Sequence, residues 1–510
     1  MKSPLFLALD IGTSSVRAGL YDCGANVLPE TIVKHERQLT VTADGGFEID
    51  ADEALEQLKT AIDDVLGKCP ENVDSIGYSA TSSFWHSILG IDAEGIATTK
   101  VFAWAETRPA RYVQKLREDL DEAETHNRTG CRFHSSYWPA KLLWLRHERR
   151  EDFYKTDRWI SFPDYVALKI SAKISAGPTH NSRRGDCGTV WTSLSMASGT
   201  GILDIRRQVW DSQLLGYLSI KPANLPTVVE KDTDTFRLND EYAARWPKLA
   251  ETKFFLAIGD GAGNNIGTNC VTANKAALMI GTSGAMRVAF KGAVPKEIPA
   301  GLWCYRIDRK RVIIGGALSD GGGLYRWLKK NFRLKKNDDK TEAKIEEREP
   351  DQHGITFMPF LAGERSTGYH DFAEGAILGL RHAHTKIDIV QAALESVGYR
   401  FANVYDQLNE ILEIKEIVAS GGALRESPVW TQIICDVLGH SVYLPDTREA
   451  SLRGVVLLAG EAIGEIENIS NLETPGGMRF SCNAVNHETY KIARERHERF
   501  YNLLLDSEAG

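Results

Sequence analysis

Asp10 ends the apolar run Leu5 to Leu9 and is followed at once by Gly12, Thr13 and Ser14, so a carboxylate shares one tight turn with two hydroxyls and several backbone amides. A hard cation such as Mg2+ keeps most of its waters and needs only one or two carboxylates plus phosphate oxygens. Amides and hydroxyls at a turn are phosphate donors. Asp10 therefore reads as a metal-site residue, with Thr13 and Ser14 on phosphate. Arg17 adds a guanidinium able to meet a transferring phosphoryl group. The plain alternative is an aspartate capping its own turn. Asp260 repeats the pattern, closing the strand-like FFLAIG and opening the glycine-rich GAGNNIG. Phosphoryl transfer needs little covalent help, so one carboxylate that orients a hydroxyl and accepts its proton can suffice, and Asp260 is the candidate base. Its plain alternative is a helix N-cap. A third group is Phe84-Trp85-His86-Ser87 with Trp104-Ala105-Glu106-Thr107-Arg108. Ring faces for C–H surfaces and planar polar groups for hydroxyls suit a polyhydroxylated ligand, although each residue type also serves in cores.

The elements that must hold these residues show a duplication. Ile-Gly-Thr-Ser stands at 11–14 and again at 280–283, each time after an apolar run and before an alternating one, as expected of two β-hairpins. The second bend makes Gly281, Thr282 and Ser283 a further phosphate clamp. Between and after the hairpins, short strands (Ile76 to Ser79, Phe254 to Ile258, Val312 to Gly316, Ile417 to Ala419) alternate with amphipathic helices. Those helices are expected over Ala51 to Leu66, Pro139 to Arg150, Leu324 to Asn331, Lys386 to Leu412, Pro428 to Leu438 and Ser451 to Gly464. A polar stretch from Lys335 to Asp351 reads as a loop or solvated helix. With 510 residues the chain should hold about two to four domains, and a polar-to-apolar change before FFLAIGD divides it into 1–255 and 256–510.

Whole classes are excluded. There is no G-x-x-x-x-G-K-[ST], G-x-G-x-x-G, H-E-x-x-H or G-x-S-x-G, and Gly261 to Gly267 has one residue too many for the dinucleotide fingerprint. A net charge of −8, from 61 basic and 69 acidic residues, leaves no footprint for nucleic acid or an anionic membrane. The first apolar run breaks at Asp10, too early for a secretory segment, and eight cysteines without a C-x-x-C pair read as free thiols of a cytoplasmic protein. Oligomeric state is not written in the chain; a homodimer is one expectation.

Six ordered motifs resemble the FGGY carbohydrate kinases, and among them the gluconokinase-like branch: DIGTSSVRAGLYD from Asp10, GDGAGNNIG around Asp260, MIGTSGAMRV from Met279, GERSTGYHDFAEGAILGL from Gly363, ASGGALRESPVWTQIICDVLGHSV from Ala419 and EASLRGVVLLA from Glu449. The resemblance implies an α/β fold of two actin-like (ribonuclease H-like) domains with ATP, Mg2+ and a sugar in the interdomain cleft. It places Asp10 near the metal, Thr13, Ser14 and Arg17 at the transferring phosphates, Asp260 as base, and Gly281, Thr282 and Ser283 on nucleotide phosphates. Gly421, Gly422 and Ala423 would lie against the adenosine, and Trp85, His86, Trp104, Glu106, Arg108, Tyr137 and Asp260 against the sugar. The implied reaction phosphorylates a terminal hydroxyl of a sugar or sugar acid, D-gluconate first, with D-xylulose, D-ribulose or a polyol as alternatives. A non-catalytic actin-like nucleotide sensor is the alternative of another class. The chain departs from the pattern at Trp85, at Ser193, and in Ser-Thr-Gly-Tyr after Gly363-Glu-Arg, so the sugar is more in question than the chemistry.

Overall fold

The computed structural model describes residues 4–71, 73–172, 188–334 and 339–505. The first expected hairpin is there: β1 (Phe6–Ile11) and β2 (Ser15–Tyr21) pair antiparallel, with β3 (Val33–Glu36) beyond β2. β4 (Tyr78–Ser83) runs parallel to β1 on its other side. The short strands β5 (Thr235–Phe236), β6 (Lys253–Phe255) and β7 (Ile258–Gly259) complete a seven-stranded sheet, with β6 and β7 both against β4. The expected single strand Phe254 to Ile258 is thus broken in two. The expected division at 255/256 falls between two strands of this one sheet. Helices α1 (Ala51–Gly67), α2 (Trp138–Glu148) and α3 (Asp260–Gly267) lie where the periodicity and glycine pattern put helices. Asp50 starts α1 by accepting hydrogen bonds from the amides of Asp52 and Glu53.

The second sheet repeats the plan. β8 (Lys275–Ile280) and β9 (Gly284–Lys291) form the second hairpin. β10 (Trp303–Arg306) and β11 (Arg311–Leu318) extend the β9 side, β11 pairing along the full length of β9. β12 (Glu416–Ser420) lies parallel to β8 as β4 does to β1, followed by β13 (Val442–Pro445) and β14 (Gly477–Phe480). Helices α4 (Gly322–Asn331), α5 (Lys386–Ile411), α6 (Pro428–Leu438), α7 (Ala450–Ile463) and α8 (Ala484–Leu505) follow the expected pattern, except that α8 was not foreseen. In the polar 335–351 stretch a helix covers Asp339–Glu346, and residues 335–338 lie outside the described ones.

Strand alternation explains where the site must be. Leu7, Leu9 and Ile11 of β1 point into the core of the first lobe, whereas Phe6 and Ala8 point into a second core shared with α3, α7 and β10. Side chains two apart share a face, so Asp10 falls on the face of Phe6 and Ala8, between the lobes. That shared core is closed by glycine contacts. A Cβ on Gly267 would stand 1.8 Å from the Ala450 carbonyl oxygen, and one on Gly454 would stand 1.8 Å from that of Gly263. α3 and α7 therefore pack backbone to backbone, and α7, from the second half of the chain, also packs on β1 and β4.

Candidate active site

The two carboxylates flank one strand. Asp10 is the register partner of Ser82 on β4, and Asp260 directly follows Gly259, the partner of Ser83. The Ser82 hydroxyl donates to Asp10 Oδ1 at 2.6 Å, and Arg17, opposite Asp10 in the hairpin, donates to Oδ2 at 3.2 Å. Burial raises the Asp10 pKa against the lowering pull of those two bonds. Asp260 is half-buried at the first position of α3, so it is not the N-cap, which is Gly259. Its Oδ1 accepts the Gly261 amide at 2.7 Å, and its other oxygen takes no hydrogen bond from the described residues. Burial, and then the charge of Asp10, push its pKa up to about 6, while Arg287 and Arg365 oppose the rise. A carboxylate with a free oxygen and a pKa near neutrality suits a proton acceptor.

Arg17 also lies 3.7 Å from Glu449, which stands just before α7, so the guanidinium sits between an acid of each half of the chain. Around the first bend the Gly12 amide bonds the Ser15 carbonyl at 2.9 Å and Arg37 bonds the Gly12 carbonyl at 3.0 Å. The Ser14 side chain is exposed and Thr13 partly so, which leaves hydroxyls and amides for an incoming anion. The second bend is closed one residue tighter, the Gly281 amide bonding the Ser283 carbonyl at 2.9 Å. Residues 321–323, three glycines not singled out in the sequence, lie against it: the amides of Gly322 and Gly323 bond the carbonyls of Gly281 and Thr282 at 2.9 and 2.8 Å. Gly421 has φ +95°, and a Cβ there would meet the Ile280 carbonyl oxygen at 2.3 Å. A Cβ on Gly322 would stand 2.9 Å from that of Ala423. Gly281 to Ser283 and Gly421 to Ala423 thus lie together, backbone close to backbone.

The sugar segments divide. Trp104 is partly exposed and donates its indole N–H to the Thr13 hydroxyl at 3.2 Å, joining the expected sugar face to the first bend. His86 is buried with φ +69°, and its Nδ1–H donates to the Gly199 carbonyl at 2.6 Å. Burial first, and the charge of Arg365 next, hold the imidazole well below its usual pKa, so it is neutral and its Nε2 is an acceptor turned toward Arg365. At four other expected sugar contacts the polar groups are engaged within the protein. Trp85 is wedged against Gly199, Gly259 and Gly261 with its N–H on the Ser195 carbonyl at 3.0 Å, and so forms the floor beneath Asp260. Tyr137 is buried, edge-on to His86, with its hydroxyl on that of Tyr305 at 2.6 Å. Glu106 is fully buried, and Arg108 closes on it (2.7 and 2.8 Å) and on Glu48 (2.6 Å) while stacking on Trp144. Their donors and acceptors are used within the protein because a ring or ion pair of this kind serves packing as readily as a ligand. Replacing Arg108 with Met should therefore destabilise the fold by about 3 kcal/mol, by leaving Glu106 buried and unpaired, and change the sugar KM little at a permissive temperature. Chemical denaturation alongside steady-state kinetics checks this; an unfolded fraction unchanged and a KM raised tenfold would restore the ligand role.

Further residues brace these segments. Lys141, fully buried, donates from Nζ to the carbonyls of His86 (2.8 Å) and Ala103 (2.8 Å), fastening the two sugar segments together, and burial lowers its pKa to about 7. The Ser193 departure is a cap: its hydroxyl accepts the Met196 amide at 3.0 Å and donates at 2.6 Å to the Ala257 carbonyl, in the break between β6 and β7. Arg365 reaches in from the other lobe. Among the described residues, the one group of three acids and imidazoles close enough to share a metal directly is Asp351, His353 and Glu395, far along the chain from these motifs. Arg496 holds Asp351 there, and the Ile355 amide, the His353 ring and Tyr490 occupy the rest, so it is a hydrogen-bonded strut. A cavity of about 490 Å3 lined by Glu230 to Asp234, Ile307 to Arg311, Val455 and Leu458 reaches Ser193 but neither carboxylate and neither glycine bend.

Two related lobes, paired glycine-rich bends and two carboxylates on the first lobe facing their junction define a phosphotransferase of the actin-like class. The chain matches the N-terminal domain of the FGGY family of carbohydrate kinases over residues 5–267 and the C-terminal domain over 276–463, and it belongs to that family. It is a carbohydrate kinase, an enzyme class whose phosphate donor is ATP. It is 27% identical to a gluconokinase of Bacillus subtilis over 474 residues, 91% of this chain and 88% of that protein. To a xylulose kinase of Escherichia coli it is 24% identical over 511 residues, 98% and 99% of the two chains. The solved xylulose kinase and gluconate kinase of Lactobacillus acidophilus superpose with TM-scores of 0.86 and 0.84, each at 24% identity and 98% coverage of both chains, a likeness of fold.

Proposed function

We propose that the protein transfers the γ-phosphoryl group of ATP to a terminal hydroxyl of an open-chain sugar acid, D-gluconate first, giving 6-phosphogluconate. The reading rests on the convergence of Asp10 and Asp260 on β4 beside the first glycine bend. Asp260, with one oxygen free, orients the acceptor hydroxyl and takes its proton as the O–P bond forms. Thr13 and Ser14 and the bend amides receive the transferring group, Gly281 to Ser283 the remaining phosphates, and Gly421 to Ala423 the nucleoside. Asp10 fits a hydrated Mg2+: its oxygens carry one protein hydrogen bond each, which leaves lone pairs for metal-bound waters, and among the described residues no tight carboxylate cage surrounds it. Bound there, the ion would neutralise phosphate charge.

The sugar acid is favoured by similarity to the gluconokinases and by the pairing of Glu106 with Arg108, which removes the one acid expected to repel a carboxylate. Cytoplasmic location is supported by the seven described cysteines, all free, with Cys187 outside the described residues; among the described residues no helix is long and apolar enough to cross a membrane. ADP release measured with D-gluconate, D-xylulose, D-ribulose and glycerol decides the reading. Release that depends on sugar, with kcat/KM highest for gluconate, is expected. A higher value for a ketopentose would move the substrate to that class, and release indifferent to sugar would leave a nucleotide sensor.

A further inference from the structure

A charge without an acidic partner reaches the sugar segments from the loop that carries Gly363-Glu-Arg. Residues 363–371 leave the second lobe under several constraints. Glu364 is buried, paired with Arg400 of α5 and bonded by the Tyr501 hydroxyl at 2.7 Å. The Ser366 amide bonds the Ala317 carbonyl at 2.9 Å, and the Ser366 hydroxyl accepts the Ala317 amide at 3.0 Å. The same loop grips the first lobe: Asp371 accepts the Ser135 amide at 3.0 Å, and Arg117 bonds the Tyr369 carbonyl at 3.0 Å. Arg365 is thereby fixed at the junction, its guanidinium 5.4 Å from the Trp104 ring centre and 3.4 Å from His86 Nε2.

Two other guanidiniums of the site are paired with acids. Arg17 has Asp10 and Glu449, and Arg108 has Glu106 and Glu48. No described carboxylate lies within ion-pair distance of Arg365, and its only side-chain acceptor is the neutral His86 ring. Its charge nevertheless bears on Asp260, His86, Tyr137 and Lys141, which places it among the sugar segments. A half-buried guanidinium held in place and facing an aromatic ring is suited to fork onto a planar carboxylate.

We propose that Arg365 is the specificity-determining residue of the sugar subsite, binding the carboxylate of the acceptor and so selecting sugar acids over neutral sugars and polyols. This deepens the sugar-acid reading above and rests on it. The competing role is a purely structural latch, in which the arginine only stacks on Trp104 and joins the lobes. Arg365→Gln and Arg365→Lys separate the two roles when gluconate and ATP binding are measured by calorimetry and turnover is followed with D-gluconate, D-glucitol and D-xylulose. Arg365→Gln is expected to weaken gluconate binding and its kcat/KM by about 10²-fold, chiefly through KM, with ATP affinity unchanged within about threefold and a clearly smaller loss for neutral substrates. Arg365→Lys, keeping the charge without the fork, is expected to recover part of the loss. Unaltered gluconate binding in the Gln variant, or equal losses for gluconate, ATP and neutral substrates, would overturn the assignment while leaving the gluconokinase reading intact. A wild-type enzyme that uses D-xylulose and neither binds nor phosphorylates gluconate would remove that reading and this proposal with it.

Discussion

Asp260→Asn should lower kcat by about 10² to 10⁴ while the dissociation constant for ATP stays at its wild-type value, because a general base acts on the transferred proton and leaves nucleotide binding alone. The substitution is close to isosteric, and its amide can no longer accept the acceptor hydroxyl's proton. The wild-type pH profile carries the same information. With the Asp260 pKa pushed up to about 6, the carboxylate is protonated and inert below that value. kcat/KM should therefore rise with pH through about 6 and level off above it, and the Asn variant should lose that acidic limb. Stopped assays of ADP release between pH 5 and 8, in a range set by the ordinary titration of such groups, check both statements. A variant that retains wild-type turnover, or a limb that persists in it, removes Asp260 from the chemistry.

Gly454→Ala is expected to disable the enzyme from a distance. The added methyl carbon would lie 1.8 Å from the Gly263 carbonyl oxygen, a backbone atom in the helix that begins with Asp260. No rotamer relieves that contact, so α7 and α3 must separate. Overpacking of this kind costs about 1–3 kcal/mol and more where backbone must move, and the upper end is expected here. Because the shift is delivered to α3, Asp260 is displaced from the hydroxyl it orients, and misplacement by about 1 Å is enough to lower the rate on the order of 10²-fold. Thermal unfolding and kcat/KM of the purified variant test the two effects together. An alanine accepted with native stability and native rate would show that the helices are not held at this spacing.

The residues that could be read from sequence were those whose signal is local. Asp10 and Asp260 each stand at the end of an apolar run beside glycines, and the repeated Ile-Gly-Thr-Ser fixes both hairpins, because alternation and turn chemistry are short-range properties. Helix α6 was legible from Pro428 to Leu438 because proline starts it and a left-handed glycine, Gly439, ends it. What could not be read depends on register and burial. Ser82 touches Asp10 only because β4 pairs with β1 in that register, and nothing in the local sequence says so. Trp85, Glu106 and Arg108 look the same in sequence whether they face a sugar or a core, and their partners within the protein come only with the fold. Arg365 is the converse case, since its lack of an acidic neighbour is a fact about the folded surroundings. The glycines at 263, 267 and 454 likewise show their purpose only as a pair of touching helices.

On the proposed mechanism one cleft brings the acceptor hydroxyl to Asp260 and the γ-phosphate to the first glycine bend. A crystal structure with D-gluconate, Mg2+ and a non-hydrolysable ATP analogue measures this directly. The terminal hydroxyl should lie within hydrogen-bond reach of Asp260, about 2.6–3.2 Å, with the γ-phosphate beside Thr13 and Ser14. A sugar seated away from Asp260, or a nucleotide whose phosphates avoid both glycine bends, would contradict the account.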